Sequence, residues 1–298
     1  MRPALRRLTV QAVILAGLLA PAPLPAADPS ERPAGTSHTG DIRAHSLQST
    51  ILGHARRIWV YLPPGYEATA QRYPVLYLHD GQNVFNRATS FIGVEWGADE
   101  TAEALILAGE IEPLILVAVA NSPDRMDEYT PAPDPRHGGG KANAYGRFLA
   151  EEVKPWVDAT FRTRPEPEFT GVAGSSLGGL VSLYFGISRP DLFTRIGAMS
   201  PSVWWARRDV LQRIQALPRK TPVKIWIDIG TDEGGGTTNA RQTLLDARAL
   251  RDAFLARGWK YLDDLYYLEV PGAKHNEAAW AARLPGMLKF LYPPEPSD

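Results

Sequence analysis

Thr170-Gly171-Val172-Ala173-Gly174-Ser175-Ser176-Leu177-Gly178-Gly179-Leu180 joins a short apolar run to a glycine-bracketed serine and then to the helix-compatible segment Leu180 to Phe185. Gly174, Ser176 and Gly178 satisfy G-x-S-x-G, the spacing at which a strand turns so sharply into a helix that the residues two positions either side can carry no side chain. The spacing predicts a nucleophile elbow with Ser176 at its apex. Centred on Ser175, the same pattern would need glycine at Ala173 and Leu177, and neither fits. An elbow serine stands above the sheet, and the N–H of Leu177, at the start of the helix, points at an oxyanion formed on an attacked carbonyl. A Gly/Ser loop can show the same letters by chance; the strand-like run before and the helical pattern after favour the elbow.

Downstream, Val223 to Gly230 reads as a strand and Thr231 to Gly236 as the loop after it. Folds with such an elbow carry Ser, acid and His in that chain order, each on a loop following a strand. Either Asp232 or Glu233 fits the acid, whereas Asp228 lies inside the strand and reads as a buried structural carboxylate. A helix over 239–257 and a strand over 264–270 lead to Pro271-Gly272-Ala273-Lys274-His275-Asn276-Glu277 and a final helix over 278–291. His38, His45, His54, His79 and His137 all precede Ser176, so chain order selects His275 as the base. A serine hydroxyl is a weak nucleophile at neutral pH. The histidine takes its proton and returns it to the leaving group, and the acid orients the imidazole and stabilises the imidazolium.

Upstream, the apolar strand 74–79 runs into Asp80-Gly81-Gln82-Asn83. Gly81 would let the N–H of Gln82 serve as the second oxyanion donor, although an ordinary D-G turn has the same letters. A helix over 95–108 and a buried strand over 114–120 follow, then a long loop, 121–141. The loops after these strands offer Asp80, Arg125 and Tyr129, with Asp127 and Glu128 beside them, as candidate substrate contacts; a solvated loop fits equally. Gly138-Gly139-Gly140-Lys141 lacks phosphate-loop spacing. Residues 144–159 form an amphipathic helix that Pro155 could kink, and a strand over 195–200 ends at Trp204 and Trp205, which read as a pocket wall or as core packing. The segments 47–52 and 56–62 suggest an antiparallel hairpin at one edge of the sheet.

The 298 residues, 44% hydrophobic and 22% charged, suit one large α/β domain. A net charge of -1 with both signs interspersed offers no basic field for nucleic acid. Arg2, Arg6 and Arg7 before the apolar run Leu8 to Ala20 predict a signal peptide over 1–27 and hence export, to the periplasm or beyond, with no stable membrane insertion once it is removed. A flexible lead-in is expected over 28–45, the domain over 46–292 and a tail over 293–298. There is no cysteine and no metal or dinucleotide motif, so no cofactor is expected.

Tyr77-Leu78-His79-Asp80-Gly81-Gln82-Asn83, Gly174-Ser175-Ser176-Leu177-Gly178-Gly179, Gly230-Thr231-Asp232-Glu233 and His275-Asn276-Glu277 together resemble the esterases related to enterochelin esterase and esterase D. The resemblance covers nearly everything from Ser46 to Tyr292. It implies an α/β-hydrolase fold with a mostly parallel central sheet and helices on both faces. It also implies a serine carboxylic-ester hydrolase with Gln82 and Leu177 as oxyanion donors, and it places the acid at the fourth residue of the G-x-x-[DE] turn, Glu233 ahead of Asp232. The family spans phenolic, siderophore, thioester and sugar-ester chemistry, and an export signal argues against the cytosolic S-formylglutathione branch. An acyltransferase with the same triad, or a non-catalytic binding protein of the same fold, is the alternative expectation.

Overall fold

The computed structural model describes residues 37–234 and 239–294. The segment read as a signal peptide, the first half of the lead-in and the tail from residue 295 lie outside the described residues. Eight strands form one sheet: β1 Asp41–Gln48, β2 Ala55–Leu62, β3 Val75–Leu78, β4 Ile115–Val119, β5 Thr170–Ser175, β6 Arg195–Met199, β7 Lys224–Gly230 and β8 Leu265–Val270. Their spatial order is β1-β2-β4-β3-β5-β6-β7-β8. The β1–β2 and β2–β4 pairs are antiparallel and every other pair is parallel.

The helices are α1 Ala98–Leu107, α2 Arg125–Glu128, α3 Ala142–Arg147, α4 Lys154–Thr160, α5 Leu177–Ser188, α6 Trp205–Gln215, α7 Ala240–Ala256, α8 Glu277–Ala281 and α9 Leu284–Leu291. Strand alternation divides the core into two layers. Ile225, Ile227 and Ile229 of β7 face the layer containing Leu250 and Phe254 of α7 and Leu180 and Phe185 of α5. Trp226 faces the layer of Leu284, Met287 and Leu288 of α9. Each such buried aliphatic side chain contributes about 1.5–3 kcal/mol by leaving water. Helices therefore cover both faces, as the doubly wound pattern of an α/β-hydrolase fold requires. Among the described residues no helix is long and apolar enough to cross a membrane.

Three boundaries differ from the sequence expectation. The lead-in expected over 28–45 gives way to β1 at Asp41, which pairs along its whole length with β2, from Asp41 opposite Leu62 to Gln48 opposite Ala55. As a half-exposed edge strand, β1 keeps only Ile42, Ala44 and Leu47 as apolar residues, too few for a clear alternating run. The helix containing Pro155 stays continuous through a π-helical stretch, Phe148–Val153, in which the Lys154 N–H reaches back to Leu149 O. The expected final helix breaks between α8 and α9, where Pro285 restarts the chain. That break turns Arg283 inward.

Candidate active site

Ser176 sits between β5 and α5 at φ 58°, ψ -120°, a left-handed conformation that costs a non-glycine residue about 1–3 kcal/mol. The surroundings hold it there: its N–H donates to Met199 O at 2.9 Å, and Ser202 N–H donates to its carbonyl at 3.0 Å. A Cβ on Gly174 would lie 2.8 Å from the Gly178 carbonyl carbon, which is why the positions flanking the serine are bare. His79 lies beneath this turn, donor-paired with Tyr145 OH at 2.9 Å, and its burial lowers its pKa to about 3. The histidine at the end of β3 is therefore a neutral core residue.

The loop after β3 forms one 3₁₀ turn over Gly81–Asn83. A Cβ on Gly81 would stand 2.5 Å from the Ala118 carbonyl carbon of β4, so glycine lets the turn press against the sheet. The backbone N–H groups of Gln82 and Leu177 donate to no acceptor among the described residues. Gly81→Ala is expected to destabilise the fold by about 1–3 kcal/mol and to lower activity, because the backbone must shift to admit the methyl group. Urea unfolding beside steady-state kinetics checks both.

Asp80 anchors this loop. Its carboxylate accepts from Arg125 Nε at 2.6 Å and Nη2 at 2.7 Å and from Asn121 Nδ2 at 2.7 Å, while its N–H donates to Tyr129 OH at 3.1 Å. Burial alone would raise the Asp80 pKa, but Arg125 and Asn121 outweigh it and hold the carboxyl below its usual range. The structure places three of the expected substrate contacts in the interior. Asp80 and Tyr129 are buried and serve to tie the loop down, and Trp205 is buried with its Nε1 donating to Ala132 O at 2.7 Å. Large aromatic area drives these rings inward whenever the polar tip finds a partner. Arg125 and Trp204 keep partial exposure at 29% and 37%.

Between the two acid candidates the geometry is one-sided. Asp232 is exposed, with its backbone N–H on Ala273 O at 3.1 Å. Glu233 is buried, and His275 Nδ1 lies 2.9 Å from its Oε2. Gly230 makes this meeting possible, because a Cβ there would collide with Ala273 O on the histidine loop. Burial pushes the Glu233 pKa up, but the bonds from His275 and Ser200 prevail and hold it below the ordinary carboxylate value. An ionised Glu233 fixes the Nδ1–H tautomer and leaves Nε2 of the half-exposed imidazole as an acceptor. Ser176 Oγ is paired with Ser202 Oγ at 3.3 Å, and no hydrogen bond joins it to His275 among the described residues. Serine–histidine bonds of this kind commonly tighten only around substrate.

Ser200, Ser202, Trp280 and Arg283 were not singled out from sequence. The two serines follow β6, the strand beside the elbow, and parallel order alone would have placed them near Ser176. Arg283 carried no signal beyond being a charge inside an apolar helical pattern.

A protein named uncharacterized protein YbbA from Bacillus subtilis is 26% identical over 245 residues, 80% of this chain and 92% of that one. The ferri-bacillibactin esterase BesA of the same organism is 28% identical over 180 residues, 53% of this chain and 59% of its own. An IroE-like serine hydrolase from Shewanella oneidensis superposes with a TM-score of 0.70 at 20% identity, covering 85% of this chain and 80% of that one, and so shares its fold. The elbow, the turn after β3 and the loops bearing Glu233 and His275 all fall within residues 49–291, which match the "Putative esterase" family model, and the chain belongs to that family.

Proposed function

We propose that the protein is a serine carboxylic-ester hydrolase in which Ser176 is the nucleophile, His275 the general base and acid, and Glu233 the orienting carboxylate. The reading rests above all on the 2.9 Å contact between His275 Nδ1 and Glu233 Oε2, with the strained Ser176 at the end of β5 in the same run of parallel strands. Ser176 Oγ attacks the ester carbonyl as its proton passes to His275 Nε2. The N–H groups of Gln82 and Leu177 receive the oxyanion. Collapse expels the alcohol, which takes the proton from His275, and leaves an acyl-serine; water, deprotonated by the same imidazole, then releases the acid.

An ester bearing an aromatic ring is the substrate class we favour, whether phenolic or of siderophore type. Trp204 is partly exposed two residues beyond Ser202, and a relative from Emericella nidulans is named siderophore enterobactin esterase. The basic and then apolar N-terminal pattern supports an exported enzyme.

Acid quenching during turnover of p-nitrophenyl acetate, followed by peptide mass spectrometry, should find one acetyl group on the peptide containing Ser176. Turnover with no adduct, or with the acetyl group elsewhere, would defeat the proposal. Addition of alcohols during turnover tests transferase activity through the ester formed. Asp232→Asn is expected to keep kcat/KM within about twofold, since an exposed surface substitution makes little energetic difference. A severe loss in that variant would transfer the acid role to Asp232.

A further inference from the structure

We propose that Ser200 and Arg283 are positioning residues for the ester hydrolysis, holding Glu233 in a single orientation beside His275, with Asp228 in turn fixing Arg283. This rests on the triad reading above.

The hydrogen bonds around Ser200 leave one solution. A hydroxyl has one proton and two acceptor sites. Ser200 Oγ accepts from Trp280 Nε1 at 3.0 Å and from Arg283 Nη2 at 3.0 Å, so its own proton goes to Glu233 Oε1 at 2.6 Å. The same oxygen accepts from Gly230 N–H at 2.6 Å and faces Arg283 Nη1 at 3.4 Å. With Oε1 saturated, only Oε2 is left for His275. Arg283 is itself immobilised, its Nη1 on Asp228 Oδ1 at 3.0 Å and its Nε on Ala279 O at 3.0 Å. Asp228 takes Trp226 Nε1 at 2.7 Å and Ser200 N–H at 3.2 Å. Among the described residues, the charged and titratable groups facing Glu233 are thus Asp228 from β7, Arg283 from the α8–α9 break and His275 from the loop after β8. One permanent cation serves two buried carboxylates, and burial, opposed by Arg283, pushes Asp228 up to about 6.

The test is kcat/KM against pH for a short p-nitrophenyl ester. Arg283→Met leaves two buried carboxylates without their cation, so the pair retains a proton to higher pH, and the acid limb should rise by about one pH unit. Ser200→Ala should lower kcat about tenfold with KM within about twofold, the size seen when a supporting hydrogen bond is lost. The double variant Arg283→Met, Asp228→Asn removes the competing carboxylate with the cation and should bring the limb back toward wild type. If Arg283→Met does not fold, the kcat of Ser200→Ala decides. A limb unmoved in folded Arg283→Met, or an unchanged kcat in Ser200→Ala, would overturn the inference. Ser176→Ala and His275→Ala run alongside; activity surviving in either would instead defeat the triad reading.

Discussion

Ser176→Ala is expected to lower kcat/KM for a short p-nitrophenyl ester about 10⁴-fold or more, because removing the nucleophile leaves only binding and the oxyanion donors. Its melting temperature should stay close to wild type. Among the described residues Oγ makes only the 3.3 Å bond to Ser202, while the backbone bonds that hold the elbow do not depend on the side chain. Ser176→Gly should be equally inactive but more stable by about 1 kcal/mol, since glycine meets no steric penalty at φ 58°. Inactivity with raised stability would show strain held at the nucleophile. Inactivity with a collapsed melting curve would mean that the serine was structural.

Glu233→Gln is expected to lower kcat by about 10²–10⁴-fold, since an amide can hold the imidazole in the wrong tautomer and supplies no charge to the imidazolium. KM should move much less. The stability effect has a definite sign with pH. Glu233 is depressed below its ordinary value of 4.5, so the stability that it contributes is present above that value and is lost as pH falls through the depressed one. Wild type should therefore exceed Glu233→Gln in melting temperature at pH 6 and above, with the gap closing in acid.

The elbow was legible because its constraint is local: the chain reverses within five residues, and the contact between Gly174 and Gly178 admits no Cβ. Strand alternation over Ile225, Ile227 and Ile229 announced a buried strand equally directly, since both faces of the sheet are covered. β1 was hard to see for the opposite reason, an edge strand burying too little to impose a pattern. Tyr129 and Trp205 carry an apolar body with a polar tip, and their sequence does not say whether that tip meets water or a buried partner.

By itself the sequence determined the alternation of strands and helices, the turn at Ser176, and the order of serine, acid and histidine that places each on its own loop. Local sterics and hydrophobic periodicity suffice for these. The spacing alone left Asp232 open beside Glu233, which the resemblance put first; the contact of Glu233 with His275, and the gathering of Ser200, Asp228, Trp280 and Arg283 around that carboxylate, appear only in the tertiary structure. Those groups come from β7, the loops after β6 and β7, α8 and the turn before α9. What joins them is a buried charge that must be hydrogen-bonded and paired once the sheet closes over it, a requirement that acts through space rather than along the chain.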